Sequence, residues 1–420
     1  MERSSMEFEI HCPSCQKEYL VYHPFTGAIL PCQSCGTNIV LAIPKELEKE
    51  GDLKQFRYTI KRGRKREKPH TPHLVSPEKQ LLLREEALFA LSRWLDLDKS
   101  TLEEALDLLK EGKGYNEFSI SKGPGRGYRK ISAPSPVLKK VQRQILDRLL
   151  YRIPVSNACH GFMPRRSIVT NAKFHLPTAK VVYNVDLKDA FPSVSSLRVK
   201  HLLVRYIKIP LKHLGEQIEH ETLDEIIHLL VQFLTYQNSL PQGSPASGYL
   251  LNIACIKLDK YLYKLLREEG LAKEIRYTRY ADDLTFSSQD SIPETLRRKI
   301  ISTIRDCGFQ ANTSKTKYLD RGKNQVLEIT GLILEKGAIR IPRDTLERYR
   351  ATIHRAYLTD TSELTEEMKV EVQSIVAFVK MVYPLLPYRI SKPYKMFIQK
   401  HNINPIGSSS QFPLSHYPKG

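Results

Sequence analysis

A pair of adjacent carboxylates between two β-prone runs is the sequence feature that most constrains this chain. The runs Arg276–Tyr280 and Leu284–Phe286 flank Asp282 and Asp283 in the sequence RYTRYADDLTFSS. This pattern predicts a hairpin that carries both carboxylates at its tip. Two like charges held so close together are costly unless a cation lies between them. An ordinary acidic turn is the alternative interpretation of an isolated Asp-Asp pair.

A third carboxylate follows a separate β-prone run. Residues 181–185 read VVYNV, and Asp186 comes directly after them. Three carboxylates at strand ends are suited to a pair of Mg²⁺ ions, because Mg²⁺ prefers hard oxygen ligands. Two ions ~3.5–4 Å apart can activate an attacking 3′-hydroxyl and stabilise a leaving pyrophosphate.

The N-terminal region has the cysteine spacing of a zinc site. Four of the seven cysteines read Cys-x2-Cys-x16-Cys-x2-Cys, and residues 19–22 between the pairs are β-prone. This spacing fits a two-knuckle zinc site, which is structural when all four ligands are thiolates. A cluster of reduced thiols is the alternative. The predicted zinc ligands are Cys12, Cys15, Cys32 and Cys35.

The charge of the chain points to a polyanionic partner. Its 65 Lys and Arg residues outnumber its 46 Asp and Glu residues, for a net charge of +19. Such an excess is typical of proteins that bind nucleic acid. Residues 57–73 hold seven of these cations against one Glu, which predicts either a basic arm on phosphates or a solvated tether.

Composition excludes several other classes of protein. A content of 41% hydrophobic and 26% charged residues is that of a globular chain. The N-terminal sequence MERSSMEFEI has acids where a signal peptide would be apolar, and the odd cysteine count argues against a disulfide framework. No apolar run reaches the ~18 residues of a membrane span. We therefore expect a cytoplasmic protein without a membrane partner.

A series of sequence blocks resembles the reverse transcriptase family. The Asp186 strand, LPQGSPASGYLLN at 240–252 and YADD at 280–283 follow the order of palm motifs A, B and C. Residues 129–146 and 160–172 resemble the blocks before the palm, Lys315 falls at motif D, and 329–334 resembles the last palm block. The resemblance spans residues 115–385. It implies an α+β right-hand polymerase fold with fingers, a palm built on an antiparallel sheet, and a helical thumb.

Two short features resemble retron-type bacterial reverse transcriptases. Residues 171–175, NAKFH, match the retron signature NAxxH, and 329–331, ITG, is similar to the signature VTG. The N-terminal zinc ribbon is an addition to that pattern. The resemblance implies RNA-binding roles for Asn171, His175, Thr330 and Gly331. For Asn171 and His175, a structural hydrogen bond is the alternative.

The resemblance also implies the roles of the site residues. Asp186, Asp282 and Asp283 would hold two Mg²⁺ ions, with Mn²⁺ as an alternative. Phe191 would be a steric gate that excludes the ribose 2′-hydroxyl. Lys315 would protonate the leaving pyrophosphate, or is a surface cation. The remaining predicted nucleotide contacts are Lys122, Arg129, Leu187, Asp189, Ala190, Gln242, Gly243 and Ser244.

The predicted function is RNA-directed DNA synthesis on a cognate structured non-coding RNA. The expected partners are that template and primer RNA, its single-stranded DNA product and dNTPs. An anti-phage role and an effector protein encoded nearby follow from the retron resemblance. A group II intron-like or other defence-associated reverse transcriptase is the first alternative, and a non-catalytic RNA-binding scaffold is the second. The predicted domains are a zinc ribbon (1–45), a basic linker (46–80), fingers and palm (81–335), a thumb (336–400) and a tail (401–420).

Overall fold

The computed structural model describes two sets of residues. Backbone and side chains are described for 76–121, 127–215, 218–335 and 337–405, and backbone alone for 7–11, 18–22, 29–31 and 38–40. The chain divides by its internal contacts into two units, 1–80 and 81–420. The predicted zinc ligands Cys12, Cys15, Cys32 and Cys35, the predicted nucleotide contact Lys122, and most of the predicted linker and tail lie outside the described residues.

The first unit contains two antiparallel strand pairs. Strand β1 (Glu7–His11) pairs with β2 (Glu18–Tyr22). Strand β3 (Ile29–Pro31) pairs with β4 (Asn38–Val40). The strand predicted at 19–22 is confirmed and begins one residue earlier.

The second unit combines helices with antiparallel sheets, as the α+β prediction requires. Its strands are β5 (Tyr115–Ser121), β6 (Tyr128–Pro134), β7 (Val181–Leu187), β8 (Arg276–Tyr280), β9 (Asp283–Ser288), β10 (Ala311–Asp320), β11 (Leu327–Ile329), β12 (Leu332–Glu335) and β13 (Ala338–Arg340). The helices from residue 77 onward are α1 (Pro77–Leu95), α2 (Lys99–Lys110), α3 (Pro136–Arg148), α4 (Ile168–His175), α5 (Ser196–Tyr206), α6 (Lys208–Leu214), α7 (His220–Leu234), α8 (Ser247–Ala254), α9 (Ile256–Glu268), α10 (Glu294–Asp306), α11 (Arg343–Leu358), α12 (Glu366–Val382) and α13 (Tyr388–Lys400).

The central sheet has four antiparallel strands in the order β10-β7-β9-β8. The predicted hairpin is confirmed as β8 and β9, and the β-prone run at 181–185 is confirmed as β7, which continues to Leu187. Because side chains alternate across a strand, the two faces of the sheet differ. Tyr183 and Val185 of β7 lie in the main core with Leu284 and Phe286 of β9.

Two hydrophobic cores support this sheet. The main core joins one face of the sheet to side chains of α1, α2, α3 and α5 to α10. The second core joins α4, β11, β12 and β13 to the C-terminal helices α11, α12 and α13. Val182 of β7 belongs to the second core, so the central sheet lies between the two. Within the ranges described, no helix has both the length and the apolar character that a membrane crossing needs.

Serine side chains begin the helices that lead to the sheet. Ser135 accepts a hydrogen bond from the backbone of Leu138 at the start of α3, where Pro136 takes the first helical position. Ser167 and Thr170 form a reciprocal capping box at the start of α4. Both arrangements satisfy backbone N–H groups that a helix start leaves unpaired. They fix where the chain enters the helices on either side of the site.

Candidate active site

A polar cavity of about 670 Å³ lies on one face of the central sheet. Its walls come from β6, β7, β9 and β10, and from the turn between β11 and β12. Asp186 and Asp283 both face it. This is the face of the sheet opposite to Tyr183 and Phe286, which lie in the main core.

Strand register explains why these two carboxylates meet. Asp186 of β7 is paired directly with Asp283 of β9, and Asn184 with Thr285. Since alternate residues share a face, all four side chains line the cavity. Asp282 lies in the turn before β9, where its carbonyl oxygen accepts a hydrogen bond from the Leu187 amide at 2.9 Å. The structure therefore brings the three predicted carboxylates to one end of the sheet.

The cavity walls make a negative charge costly at this end of the sheet. Desolvation by these walls, with the charges of Asp282 and Asp186, raises the pKa of Asp283 to about 6 although its side chain opens into the cavity. Desolvation also raises the pKa of Asp282, against the effect of its own backbone hydrogen bond. Carboxylates that repel one another in a partly dry site are stabilised by a cation. The donor set fits Mg²⁺, whose preferred ligands are carboxylate oxygens.

Lys315 of β10 supplies one such positive charge. Its Nζ lies 3.0 Å from Oδ1 and 3.2 Å from Oδ2 of Asp186, and Asn312 Nδ2 donates to Asp186 Oδ2 at 3.1 Å. The hydrogen bond to Asp186 raises the pKa of Lys315. In this arrangement no three His, Cys, Asp or Glu side chains of the described ranges stand close enough to share a metal ion. Sequence reasoning missed Asn312, which has no motif of its own.

The predicted steric gate lies beside another aromatic ring. Phe191 is half-buried, next to the buried Ala190 and the exposed Asp189. Its ring packs edge-on against Phe162, with the ring centroids 6.1 Å apart. Gly248 of α8 makes room for Phe162, because a Cβ there would come within 2.3 Å of that ring. Sequence reasoning did not single out Phe162, although it lies in the block 160–172.

The predicted nucleotide contacts Gln242 and Gly243 are joined to the β5–β6 hairpin. The Ser132 amide donates to the Gln242 carbonyl at 2.8 Å. Gly243 has φ +140°, and a Cβ at this residue would lie 2.6 Å from the Ser132 carbonyl oxygen. Arg129, on the same strand β6, lines the cavity. These contacts hold the loop before α8 against the β5–β6 hairpin. That hairpin also carries Arg129, which lines the same cavity as Asp186 and Asp283.

His175 of α4 is fully buried beneath the sheet. Its Nδ1 lies 2.7 Å from Ser287 Oγ and its Nε2 lies 2.6 Å from Thr278 Oγ1. Burial, with the charges of His160 and Arg276, lowers the pKa of His175 to about 3. The imidazole is therefore neutral at pH 7, with one nitrogen donating and the other accepting.

The predicted RNA contacts divide into two groups. The side chains of Asn171 and His175 are both 0% exposed, which favours the structural hydrogen bond over a direct contact with RNA, and their role stays a prediction. Asn171 Nδ2 lies 3.4 Å from Thr330 Oγ1, which links the two retron-like signatures. Thr330 and Gly331 form the turn between β11 and β12, with φ +47° and +78°, and line the cavity. Their RNA contact stays a prediction.

The buried histidine makes stability depend on pH. The unfolded chain takes up a proton near the ordinary histidine pKa of about 6.5, whereas the folded chain does so only near 3. Stability is therefore lost as pH falls below about 6.5, and this one group costs about 2 kcal/mol by pH 5. His175→Gln, which can keep both hydrogen bonds without titrating, is expected to flatten the pH dependence of the unfolding free energy.

Denaturant unfolding of both proteins at pH 5, 6 and 7 measures this difference. His354→Gln, at an exposed histidine of α11, is the matched control and should retain the wild-type slope. An unchanged slope in His175→Gln would contradict a neutral, buried imidazole. His160, whose pKa burial lowers to about 4, contributes a similar acid sensitivity between pH 7 and pH 5 in both proteins, so His175→Gln should reduce the slope without abolishing it.

Comparison with known proteins gives the family. Residues 120–334, just over half of the chain, match the family model described as reverse transcriptase (RNA-dependent DNA polymerase). The retron Mx162 reverse transcriptase of Myxococcus xanthus is 34% identical over 290 residues, which cover 64% of this chain. The chain spans 58% of the length of that relative. The retron Ec86 reverse transcriptase of Escherichia coli is 29% identical over 298 residues, covering 70% of this chain and 85% of that protein.

Among solved structures, one similar chain is telomerase from Candida tropicalis in complex with a TWJ fragment of telomeric RNA. The TM-score is 0.39 and the sequence identity 15%, and the similarity covers 73% of this chain and 62% of that chain. That likeness is too distant to bear on the site. The family match, with the antiparallel sheet and the C-terminal helices, confirms the predicted polymerase fold. The chain is similar in sequence to retron reverse transcriptases, and it belongs to the reverse transcriptase family.

Proposed function

We propose that this protein is an RNA-directed DNA polymerase that copies a cognate structured non-coding RNA into single-stranded DNA. The observation that carries the proposal is the direct pairing of Asp186 with Asp283 at the polar cavity, beside Asp282. The similarity to retron reverse transcriptases supports the choice of template. A role in anti-phage defence, with an effector protein encoded nearby, is the biological part of the same proposal.

The carboxylates would hold two Mg²⁺ ions, with Mn²⁺ as an alternative. Such ions activate a 3′-hydroxyl and stabilise the leaving pyrophosphate. Asp186 and Asp283 approach from paired strands, and the Leu187 amide holds the turn that carries Asp282. Lys315 forms an ion pair with Asp186, with 3.0 Å between Nζ and Oδ1. Its ammonium group then stands close enough to the cavity to give a proton to the leaving group.

The incoming dNTP would lie between the carboxylates and the β5–β6 hairpin. Arg129 and the predicted contact Lys122 would bind its phosphates, and the backbone of Asp189 and Ala190 would lie along the triphosphate. Gln242 and Gly243 would pack against the base pair. The ring of Phe191 would close the space below the sugar, with Phe162 holding that ring in place.

Phe191→Ala is expected to admit ribonucleotides. Removing the ring opens the space that a 2′-hydroxyl would occupy, and discrimination by a shape-filling side chain is worth about 10- to 200-fold. The ratio of kcat/KM for dNTP to that for rNTP, measured by single-nucleotide extension, should fall by about this factor. Phe174→Ala, at an exposed ring of α4, is the control. A ratio that stays at the wild-type value would remove the gate role.

The structured RNA would contact the C-terminal helices and the basic surface. Helices α11, α12 and α13 pack on the second core and correspond to the proposed thumb, 336–400. The thumb of a polymerase that holds an RNA–DNA duplex reads its shape and sugars across the minor groove. The net charge of +19 supplies the general attraction to phosphate.

Sequencing the nucleic acid that copurifies with the protein from its native locus tests this proposal. A short RNA covalently joined to single-stranded DNA is the expected result. Bound RNA without DNA, or mixed cellular RNA alone, would count against the retron-type product and favour another reverse transcriptase type. Failure to extend any primed RNA template with dNTPs and Mg²⁺ would contradict the polymerase itself.

We also propose a structural zinc site at Cys12, Cys15, Cys32 and Cys35. In sequence, the first cysteine pair falls between the paired strands β1 and β2, and the second between β3 and β4. In sequence, each cysteine pair thus falls in the connection between two paired strands, and one metal ion bound by both pairs would join the two connections.

Elemental analysis of the purified full-length protein should find one zinc ion per chain. Cys12→Ser and Cys32→Ser are each expected to lose that zinc and to unfold the N-terminal unit while primer extension persists. Cys307→Ser, at a buried cysteine of the second unit, is the control and should retain zinc. A metal-free wild-type protein would contradict the site.

A further inference from the structure

Arg279 of β8 is a charged residue that the chain buries completely, two residues before the turn that carries the carboxylates. Its guanidinium uses all three nitrogens. Nη1 donates to the carbonyl oxygen of Ala281 at 2.9 Å and to Asn252 Oδ1 at 2.9 Å. Nε and Nη2 donate to the two carboxylate oxygens of Asp259, at 3.0 and 2.9 Å. One side chain thus joins the turn to helices α8 and α9.

Asp259 holds the guanidinium in one orientation. It is 0% exposed, and its Oδ1 also accepts a hydrogen bond from Tyr277 Oη at 2.7 Å. A two-point contact between arginine and carboxylate fixes the plane of the guanidinium. Burying such a pair is weak evidence for a gain in stability, because apolar replacements are often as stable. The pair therefore calls for an explanation other than stability.

The turn that Arg279 contacts has a backbone conformation that needs support. Ala281 has φ +57°, in the left-handed region that residues with a Cβ rarely adopt. On its other side Gly161 lies so close that a Cβ there would be 2.5 Å from the Ala281 nitrogen. Asn252, which accepts from Arg279, donates through Nδ2 to the Gly161 carbonyl at 2.8 Å.

We propose that Arg279 is a positioning residue for DNA synthesis, which acts through the carbonyl oxygen of Ala281 to hold Asp282 and Asp283 in register with Asp186. Asp259 and Asn252 orient its guanidinium, and Asn252 ties the neighbouring segment at Gly161 to the same group. This inference rests on the proposed polymerase function. It assigns Arg279 no contact with metal, nucleotide or primer.

Arg279→Lys is the first test. A lysine cannot reach Ala281, Asn252 and Asp259 together, so the turn should lose its fixed carbonyl contact. We expect kcat for primer extension to fall about 100-fold, since small misplacements of reacting groups cost that much. KM for the primed template should stay near the wild-type value, because no template contact is removed. Arg276→Lys, on the same strand but away from the turn, is the matched control.

A second variant guards against misfolding. Arg279→Gln combined with Asp259→Asn removes both buried charges at once, so no uncompensated charge is left inside. Mn²⁺ titration followed by electron paramagnetic resonance gives a readout that does not depend on turnover. We expect weaker Mn²⁺ binding in each folded Arg279 variant, with a far-ultraviolet circular dichroism spectrum like that of the wild type.

Rescue separates positioning from general damage. Adding Ala281→Gly to an Arg279 variant removes the steric cost of positive φ, and should recover about fivefold to tenfold of the lost kcat. The same glycine in the wild-type background should give no gain, since the turn is already held. A folded Arg279 variant with wild-type kcat and Mn²⁺ affinity would overturn the proposal, and so would a loss of kcat that glycine does not recover. A wild-type protein without activity would instead refute the proposed function.

Discussion

Asp283→Asn is expected to lower the rate of DNA synthesis by at least ~10³-fold, because a metal site contributes several kcal/mol of transition-state stabilisation and each 1.36 kcal/mol is tenfold in rate. The amide keeps the shape of the side chain but removes a negative charge. That charge is one of three carboxylates at the same end of the sheet, opposite Asp186 in the strand pair. Primer extension on an RNA template with Mg²⁺ measures the loss.

Folding should survive this substitution. The raised pKa of Asp283 shows that its charge is disfavoured where it stands, so we expect the thermal midpoint not to fall. RNA binding, measured by filter retention, should not weaken because the substitution removes a negative charge and no cation that could contact phosphate. Asp290→Asn, at an exposed carboxylate just beyond β9, is the control. DNA synthesis by Asp283→Asn at a rate close to that of the control would contradict the metal-site assignment.

Gly243→Ala is expected to reduce kcat/KM for dNTP by about 100-fold, as misplacement of groups that position a substrate does. The new Cβ would lie 2.6 Å from the Ser132 carbonyl oxygen and 3.0 Å from its carbon. Both are backbone atoms of β6, which cannot move aside as a flexible side chain would. The φ of +140° is also one that alanine rarely adopts. The loop before α8 must therefore shift away from the hairpin that carries Arg129.

A substitution at a second glycine distinguishes the effect of the steric clash from that of the unfavourable φ. Gly270, after α9, has φ +74°, and a Cβ at this residue would meet no atom within 4 Å, so Gly270→Ala imposes backbone strain without a clash. It should lower stability slightly and leave nucleotide kinetics unchanged. Steady-state extension with varied dNTP distinguishes the variants. A wild-type value of kcat/KM for dNTP in Gly243→Ala would contradict this prediction, because it would mean that the loop can shift without displacing the residues that bind the nucleotide.

Local patterns in the sequence are sufficient for three of the four strands of the central sheet, and the edge strand β10 was not predicted. The β-prone runs and the turn at Ala281 predict β8 and β9, and the run before Asp186 predicts β7. Alternation then places Asp186 and Asp283 on a common face once the strands pair. These features depend on neighbours in sequence and on one strand pairing, which is why the sequence alone predicts them.

Long-range contacts account for what could not be predicted. The partners of His175 lie 103 and 112 residues away in sequence, so nothing local distinguishes a buried histidine from one that touches RNA. The burial of Arg279 could not be predicted for the same reason. A charged residue in a strand ordinarily faces solvent, and the partner of Arg279, Asp259, lies on a helix. The sequence predicts Lys315 near the nucleotide, but its ion pair with Asp186 spans 129 residues and has no local signal.

The pairing of β7 with β9 also sets how this protein can change in length. The two strands match residue for residue from Asp186 and Asp283 to Val181 and Ser288. A single codon inserted within β9 would turn every later side chain to the opposite face, sending Phe286 from the main core toward the cavity. Descendants of this chain can therefore exchange residues along these two paired strands, but they can gain or lose residues more readily in the connections beyond them.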